Sequence, residues 1–252
     1  MREKGFFMSE RHWPRPALAT TALALLGATA VAGCGGGSSA SKASAPQSAG
    51  AATATAAAAT KAFTAAQLKT ALLTKVSGQA PASPAQAGEY GALPDVKTSK
   101  QTMDGVKVKP AKCGEASVTG FNSALFTHAP ASVVTFRVGR DGVSEVLVTA
   151  TPQIATTAMG DQLPAGCTHY SATVGGRTFH YTVKEAALSG VGQSARALNV
   201  KAAGYSQVNV WSVVYQADGF VGAVTMVGPD SSKSGVQQLA TQAYDYANQS
   251  LG

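Results

Sequence analysis

Apolar residues take up a helical spacing from Phe63 onward. Leu68, Ala71, Leu72 and Val76 fall on one side of a 3.6-residue repeat. Thr64-Ala65-Ala66-Gln67 has the form of a capping box, with a hydroxyl placed for the Gln67 N–H and an amide able to reach back. Phe63 before the cap and Leu68 beyond it form a hydrophobic staple, and Gly78 is placed to end the helix. A second helical stripe closes the chain, with Val236, Leu239, Ala240, Ala243, Tyr244 and Ala247 on one face.

Between these helices the period becomes two. Val134, Phe136 and Val138 alternate with Thr135 and Arg137, and Arg140-Asp141-Gly142 reads as a hairpin turn into a return strand over 143–150. Thr151-Pro152 signals a short helix carrying Ile154 to Met159. Strands over 168–174 and 177–184 are joined by Gly175-Gly176, and further strands fit 197–202, 207–215 and 220–227. Pro81, Pro84, Pro94 and Pro110 interrupt any period between 79 and 131. There only Val106 and Val108 suggest a strand, and 116–125 suggests a short helix. Tight turns between successive strands require antiparallel pairing, since parallel pairs need long crossovers. The expected fold class is therefore α+β. It is a single domain with a mainly antiparallel sheet of about seven strands and flanking N- and C-terminal helices, the helices all covering one face.

The chain before Phe63 has a different character. Met1 to Pro16 is polar and basic, Ala17 to Gly33 carries no charge, and Val31-Ala32-Gly33-Cys34 follows. Seventeen uncharged residues span about 25 Å as a helix, short of a bilayer core of about 30 Å, so a cleaved export signal fits better than a permanent span. The aliphatic-small-small-Cys ending looks like a bacterial lipobox, which makes Cys34 the expected lipidation site. A modified Cys34 would carry two or more acyl chains, enough for stable anchoring. Gly35 to Ala62 is mostly Gly, Ser, Ala and Thr, with little that could form a core. It reads as a tether with a typical span of roughly 30 Å. The expected organisation is 1–33 signal peptide, 34–62 tether and 63–252 folded domain. The expected location is the outer face of the cell membrane, with that membrane as a partner through lipid on Cys34.

Composition narrows the function. The formal charge of +7 over the chain falls to +5 once the leader is removed. Its densest stretch, Lys97, Lys100, Lys107, Lys109 and Lys112, has no aromatic residues interleaved for base stacking, so nucleic acid is not an expected partner. That stretch is either a solvated loop or a contact for anionic lipid or wall polymer. With Cys34 assigned to lipid, Cys113 and Cys167 remain as an even pair in an exported chain, where disulfides persist. A structural bridge is favoured over a redox or metal role, because no C-x-x-C occurs and His128, His169 and His180 lack zinc spacing. No metal or cofactor is expected.

Taken together, several of these pieces resemble a known family. They are Leu72-Leu73 in the leading helix, an early Cys113, Ala158 in a helix and Cys167 followed by Thr168. Gly190-Val191-Gly192 before an Arg196-containing strand, Val208-Asn209-Val210 and Leu239-Ala240 in the last helix complete the set. This combination, over 63–252, resembles the extracytoplasmic sensor-like domain of mycobacterial PknH-type kinases and of many actinobacterial lipoproteins. The resemblance implies an antiparallel sheet with helices, a solvent-exposed cleft and a ligand-sensing role. Family members commonly carry two disulfides, whereas this sequence offers cysteines for one. Signalling through a fused kinase is not expected.

Motifs of hydrolases, metalloproteases and nucleotide-binding loops are missing, and the acidic residues are too scattered for a glycosidase pair. Gly190-Val191-Gly192 reads as a turn. Trp211, Tyr215, Phe179 and Tyr181 have strand spacing and read as core, with an aromatic carbohydrate platform as the rival reading. With His169 opposite Tyr181 and His180 near Tyr170, these four residues would form a patch able to bind a ligand. The expected function is a non-enzymatic, membrane-anchored ligand-sensing or ligand-binding domain for a small molecule, an envelope component or a protein. An envelope-acting enzyme and a structural partner of another membrane protein stand as alternatives.

Overall fold

The computed structural model describes residues 61–114, 123–160, 163–203 and 208–252. The signal peptide, Cys34 and most of the tether lie outside the described residues, as does most of the 116–125 stretch read as a short helix. Four α-helices are described: α1 (Ala65–Thr70), α2 (Pro94–Asp104), α3 (Pro152–Gly160) and α4 (Lys233–Leu251). Nine strands are described: β1 (Gln86–Glu89), β2 (Lys107–Lys109), β3 (Pro130–Val138), β4 (Asp141–Thr149), β5 (His169–Val174), β6 (Arg177–Leu188), β7 (Ser194–Ala203), β8 (Val208–Ala217) and β9 (Phe220–Val227). They form one sheet in the order β1-β3-β4-β9-β8-β7-β6-β5-β2. Every pairing is antiparallel.

The expected α+β fold is observed, with nine strands described in place of about seven. The further two, β1 and β2, are short edge strands; Val106 and Val108 hinted at β2, and no alternation marked β1. α2 was also illegible. It buries no residue completely and offers only Val96 to the core, so its sequence lacks an apolar stripe.

Strand alternation sorts the core into two faces. On the first, α1 and α4 pack over Val134, Phe136, Leu147, Val213, Tyr215 and Val224. On the second, α3 and the segments around Tyr90, Leu93 and Phe126 cover Val133, Val148, Val214 and Val221. Farther along this second face, Tyr170, Val183, Leu198 and Val200 pack around the Cys113–Cys167 disulfide, which pins the segment after β2 to the loop before β5. The expectation that helices cover one face is thus corrected, because strands buried on both sides need a layer on each.

α1 begins as the sequence required. Thr64 Oγ1 accepts from the Gln67 N–H (3.2 Å) and Gln67 Oε1 accepts from the Thr64 N–H (2.9 Å). It stops at Thr70, six residues long, although Ala71, Leu72 and Val76 remain buried. The Leu73 N–H, released from the helix, donates to Glu145 Oε2 at 2.8 Å. Ser77 and Gly78, with φ of 50° and 78°, make a two-residue turn closed by paired bonds between Val76 and Gln79. Gly78 therefore belongs to a turn and is not a helix terminus. The β3–β4 turn also shifts. Val138 pairs with Asp141, leaving Gly139-Arg140 as the loop and Asp141 buried as an acceptor for the Asp230 N–H (3.1 Å).

Gly190-Val191-Gly192 is a turn, as read. Val191 is buried, and Gly192 (φ 60°) lies so close to the Gln216 carbonyl that a Cβ there would collide with it.

Candidate functional site

Directly opposed residues of an antiparallel pair project from the same face of the sheet. The pairings Thr135–Ser144, Ser144–Thr225 and Thr225–Ser212 therefore set four hydroxyls in one row across β3, β4, β9 and β8, on the second face. The row beside it, Val133, Val146, Ala223 and Val214, is apolar and lies under the covering segments. Thr225 and Ser212 are buried, whereas Thr135 and Ser144 are half-buried, so the cover thins at the β3–β4 end of the row.

A cleft of about 320 Å³ opens here, lined by Ala82, Thr135, Arg137, Gly142, Ser144, Thr225 and Val227 together with Phe136 and Val143. The 80–85 segment forms one wall, held by the Ala82 N–H on the Thr135 carbonyl (2.8 Å) and by the Ser83 and Thr135 hydroxyls at 3.2 Å. At the other end of the row Ser212 and Thr225 share a hydrogen bond of 2.6 Å. Ser144, between these two pairs, has no partner for its hydroxyl among the described residues. Arg137 is exposed at the rim, with no carboxylate partner among them, and Val227 presents an exposed apolar surface. The volume sits at the lower end of the range for small-molecule sites, and hydroxyls, one cation and apolar walls are the usual means of orienting a small polar ligand. The lining includes no carboxylate, imidazole or thiol to activate a hydroxyl.

The four residues singled out from the sequence do not form one patch. His169 pairs with Thr182, Tyr170 with Tyr181 and Ser171 with His180. The expected register was off by one position, and a one-residue slip moves a side chain to the other face. Tyr170 and Tyr181 stack at 4.9 Å between ring centroids on the second face, beside the disulfide. His169 and His180 are exposed on the first face. Gly175-Gly176 as a two-residue loop already implied Tyr170 opposite Tyr181. Tyr215 fills the core as expected, while Trp211 and Tyr181 pack at its margins and Phe179 is half-buried. Cys113 and Cys167 are bonded to each other. Among the described residues no cluster of His, Cys, Asp or Glu is placed to hold a metal ion, and no helix is long and apolar enough to cross a membrane.

A group that sequence reading passed over lies inside the first face. Glu145 is completely buried. Its Oε2 accepts from Leu73, while Oε1 and the Tyr215 hydroxyl have no hydrogen-bond partner among the described residues. Burial drives the Glu145 carboxyl up to about 8, against a smaller lowering by the Leu73 N–H. The Tyr215 hydroxyl is pushed up by its own burial, then by the Glu145 charge and by Tyr244. Glu145 shares strand parity with Val143 and Leu147, which was the available signal that it points inward.

The nine-stranded sheet, its two helical layers and the cleft can be set beside known structures. The extracellular domain of PknH from Mycobacterium tuberculosis matches with a TM-score of 0.52 at 14% identity, over 75% of this chain and 98% of that one. The two share a fold. A putative uncharacterized protein (Rv0999 ortholog) from Mycobacterium smegmatis matches at 11% identity over 57% of this chain and 77% of that one, with a TM-score of 0.34. No protein-family model and no curated protein matches the sequence. The PknH-like architecture expected from the order of sequence features is thus present, and at this identity the likeness speaks for the fold.

Proposed function

We propose that this chain is an exported lipoprotein, held by lipid on Cys34 at the outer face of the membrane, whose sheet domain binds a small polar ligand without transforming it. The cleft carries this reading: the unpartnered Ser144 hydroxyl between two hydroxyl pairs, Arg137 at the rim, and no acid, base or thiol in the lining. The leader and lipobox-like ending support the anchoring. The PknH domain that shares the fold is extracellular, and carrying that setting over agrees with an export signal and a disulfide. An envelope-acting enzyme is less well supported, since a hydroxyl without a neighbouring base is a weak nucleophile.

Thermal-shift screening of the mature chain against glycans, lipids and wall fragments tests the cleft. At one hundred times its Kd a ligand adds about 2.7 kcal/mol, or roughly 5–10 °C for a domain of this size. The shift is expected to disappear in Ser144→Val and in Arg137→Ala. A ligand whose shift survives both substitutions, or one that is turned over, overturns the reading. Metabolic labelling with a palmitate analogue is expected to mark the wild type and spare Cys34→Ala.

A further inference from the structure

The first face of the sheet is covered unevenly. α1 packs over β1, β3 and β4, and α4 over β8 and β9. The far side, made by β7, β6, β5 and β2, is open, and the strand register fixes what it displays. Lys107 lies in line with Thr173 and Thr178, whose hydroxyls are 2.9 Å apart. Lys109 lies in line with Ser171 and His180 in the next row. His169, Thr182 and Lys201 form the third row, and Lys184 faces Asn199 in the fourth. All four lysines and both histidines are exposed. With strands about 4.8 Å apart and alternate residues about 7 Å apart, the array covers roughly 14 by 20 Å.

No acidic residue interrupts this face in the four strands. Glu185, the one acid within them, pairs with Leu198 on the opposite face and approaches Arg196 at 3.6 Å. Residues 61–252 hold fifteen basic and eleven acidic side chains. The four lysines of this face equal that surplus in number, and no acid on the same face of the four strands offsets them.

We infer that this face docks on the anionic phospholipid surface of the membrane to which the chain is tethered. Four properties select that partner. The cations stand on exposed positions of adjacent strands, presented together as one surface. Its Ser and Thr hydroxyls stand between the cations as donors for phosphate oxygens. Its four strands place no large exposed apolar side chain there of the kind that anchors a protein partner, and no Phe, Tyr or Trp on which a base could stack. The roughly 30 Å tether keeps the domain at high effective concentration near the headgroups, so weak contacts suffice. Anchoring through Cys34 belongs to the function proposed above, whereas the charge of the face does not depend on it. Each lysine near an anionic surface strengthens binding by about fivefold, and four together by several hundredfold.

Sedimentation of the mature chain without acyl groups (residues 35–252) with vesicles isolates the contribution of this face. Binding is expected to mixed phosphatidylcholine–phosphatidylglycerol vesicles, not to phosphatidylcholine alone, and should weaken with salt. K107E/K109E/K184E/K201E should abolish it. K69E/K75E/K97E/K100E, with the same change in net charge at other exposed positions, should keep it to within a few-fold. If the glutamate variant of the face melts early, the Lys→Gln set at the same four positions replaces it. Equal loss in both charge-reversal variants, equal binding to the two vesicle types, or binding to soluble polyphosphate without binding to vesicles overturns the inference. Failed palmitate labelling combined with intact vesicle binding would instead remove the lipid anchor and leave the face standing.

Discussion

The buried Glu145 carboxyl makes the domain sensitive to pH in an unusual direction. Raising its pKa from 4.5 to about 8 means that the folded state holds a proton which the unfolded chain releases. At about 1.4 kcal/mol per unit the shift corresponds to roughly 5 kcal/mol. That stability is fully present below pH 4.5 and is lost as pH rises through 8. About 3.5 kcal/mol of this falls between pH 5 and pH 8, so the melting temperature of the wild type should drop across that window by roughly 7–14 °C, at about 2–4 °C per kcal/mol. Glu145→Gln keeps an acceptor for the Leu73 N–H and cannot ionise. Its melting temperature should stay level across the same window and exceed that of the wild type at pH 8. Scanning calorimetry at several pH values measures both slopes. A wild type that melts alike at pH 5 and pH 8, or a glutamine variant that keeps the wild-type slope, would refute the assignment of the burial penalty to this residue.

Three other perturbations follow from packing and covalent structure. The Cys113–Cys167 bridge closes a separation of 54 residues. Replacing both cysteines by Ala should cost up to about 4 kcal/mol in denaturant unfolding, and neither thiol of the folded wild type should react with iodoacetamide until reductant is added. Tyr215→Phe removes a buried hydroxyl without a hydrogen-bond partner, so it should leave stability unchanged or raise it by about 1 kcal/mol; a clear loss in a chemical melt would reveal a bond that the structure does not contain. Gly222 faces the Tyr215 ring across β8–β9 at a distance no Cβ could tolerate. Gly222→Ala should therefore destabilise by about 1–3 kcal/mol, and an unchanged melting temperature would show that the ring is free to move.

Local chemistry made much of this fold legible, and what was missed depends on long-range placement. The Thr64–Gln67 box, the α4 stripe and the hairpin at Gly175-Gly176 are decided within a few residues, and they formed as read. α1 ended early because Leu72 and Val76 are buried by tertiary packing after leaving the helix, so the apolar stripe outlasted the helical hydrogen bonds. α2 announces itself only by Pro94 and Asp95 in its first turn, since it lies at the margin of the core. The cleft was invisible for another reason. Thr135, Ser144, Thr225 and Ser212 come from four strands and become neighbours only through register, and the same dependence separated the expected histidine and tyrosine patch. The open basic face was half visible, in Lys107 and Lys109. Lys184 and Lys201 joined it from strands far along the chain.

The contacts of Lys61 and Phe63 have a mechanical consequence. Lys61 reaches both Asp218 (3.8 Å) and the carbonyl of Gly252 (3.2 Å), and the Phe63 ring meets Phe220 edge-on at 6.0 Å. Tension arriving along the segment before Lys61 is therefore borne first by these few side-chain contacts and by α1, not by a ladder of strand hydrogen bonds. From the sheet, the Ser132 hydroxyl donates to the Ala65 carbonyl in α1, and the Glu145 carboxyl holds Leu73 just beyond it. Under load this short helix should peel away before any strand of the sheet is pulled from its neighbours, as a mechanical fuse.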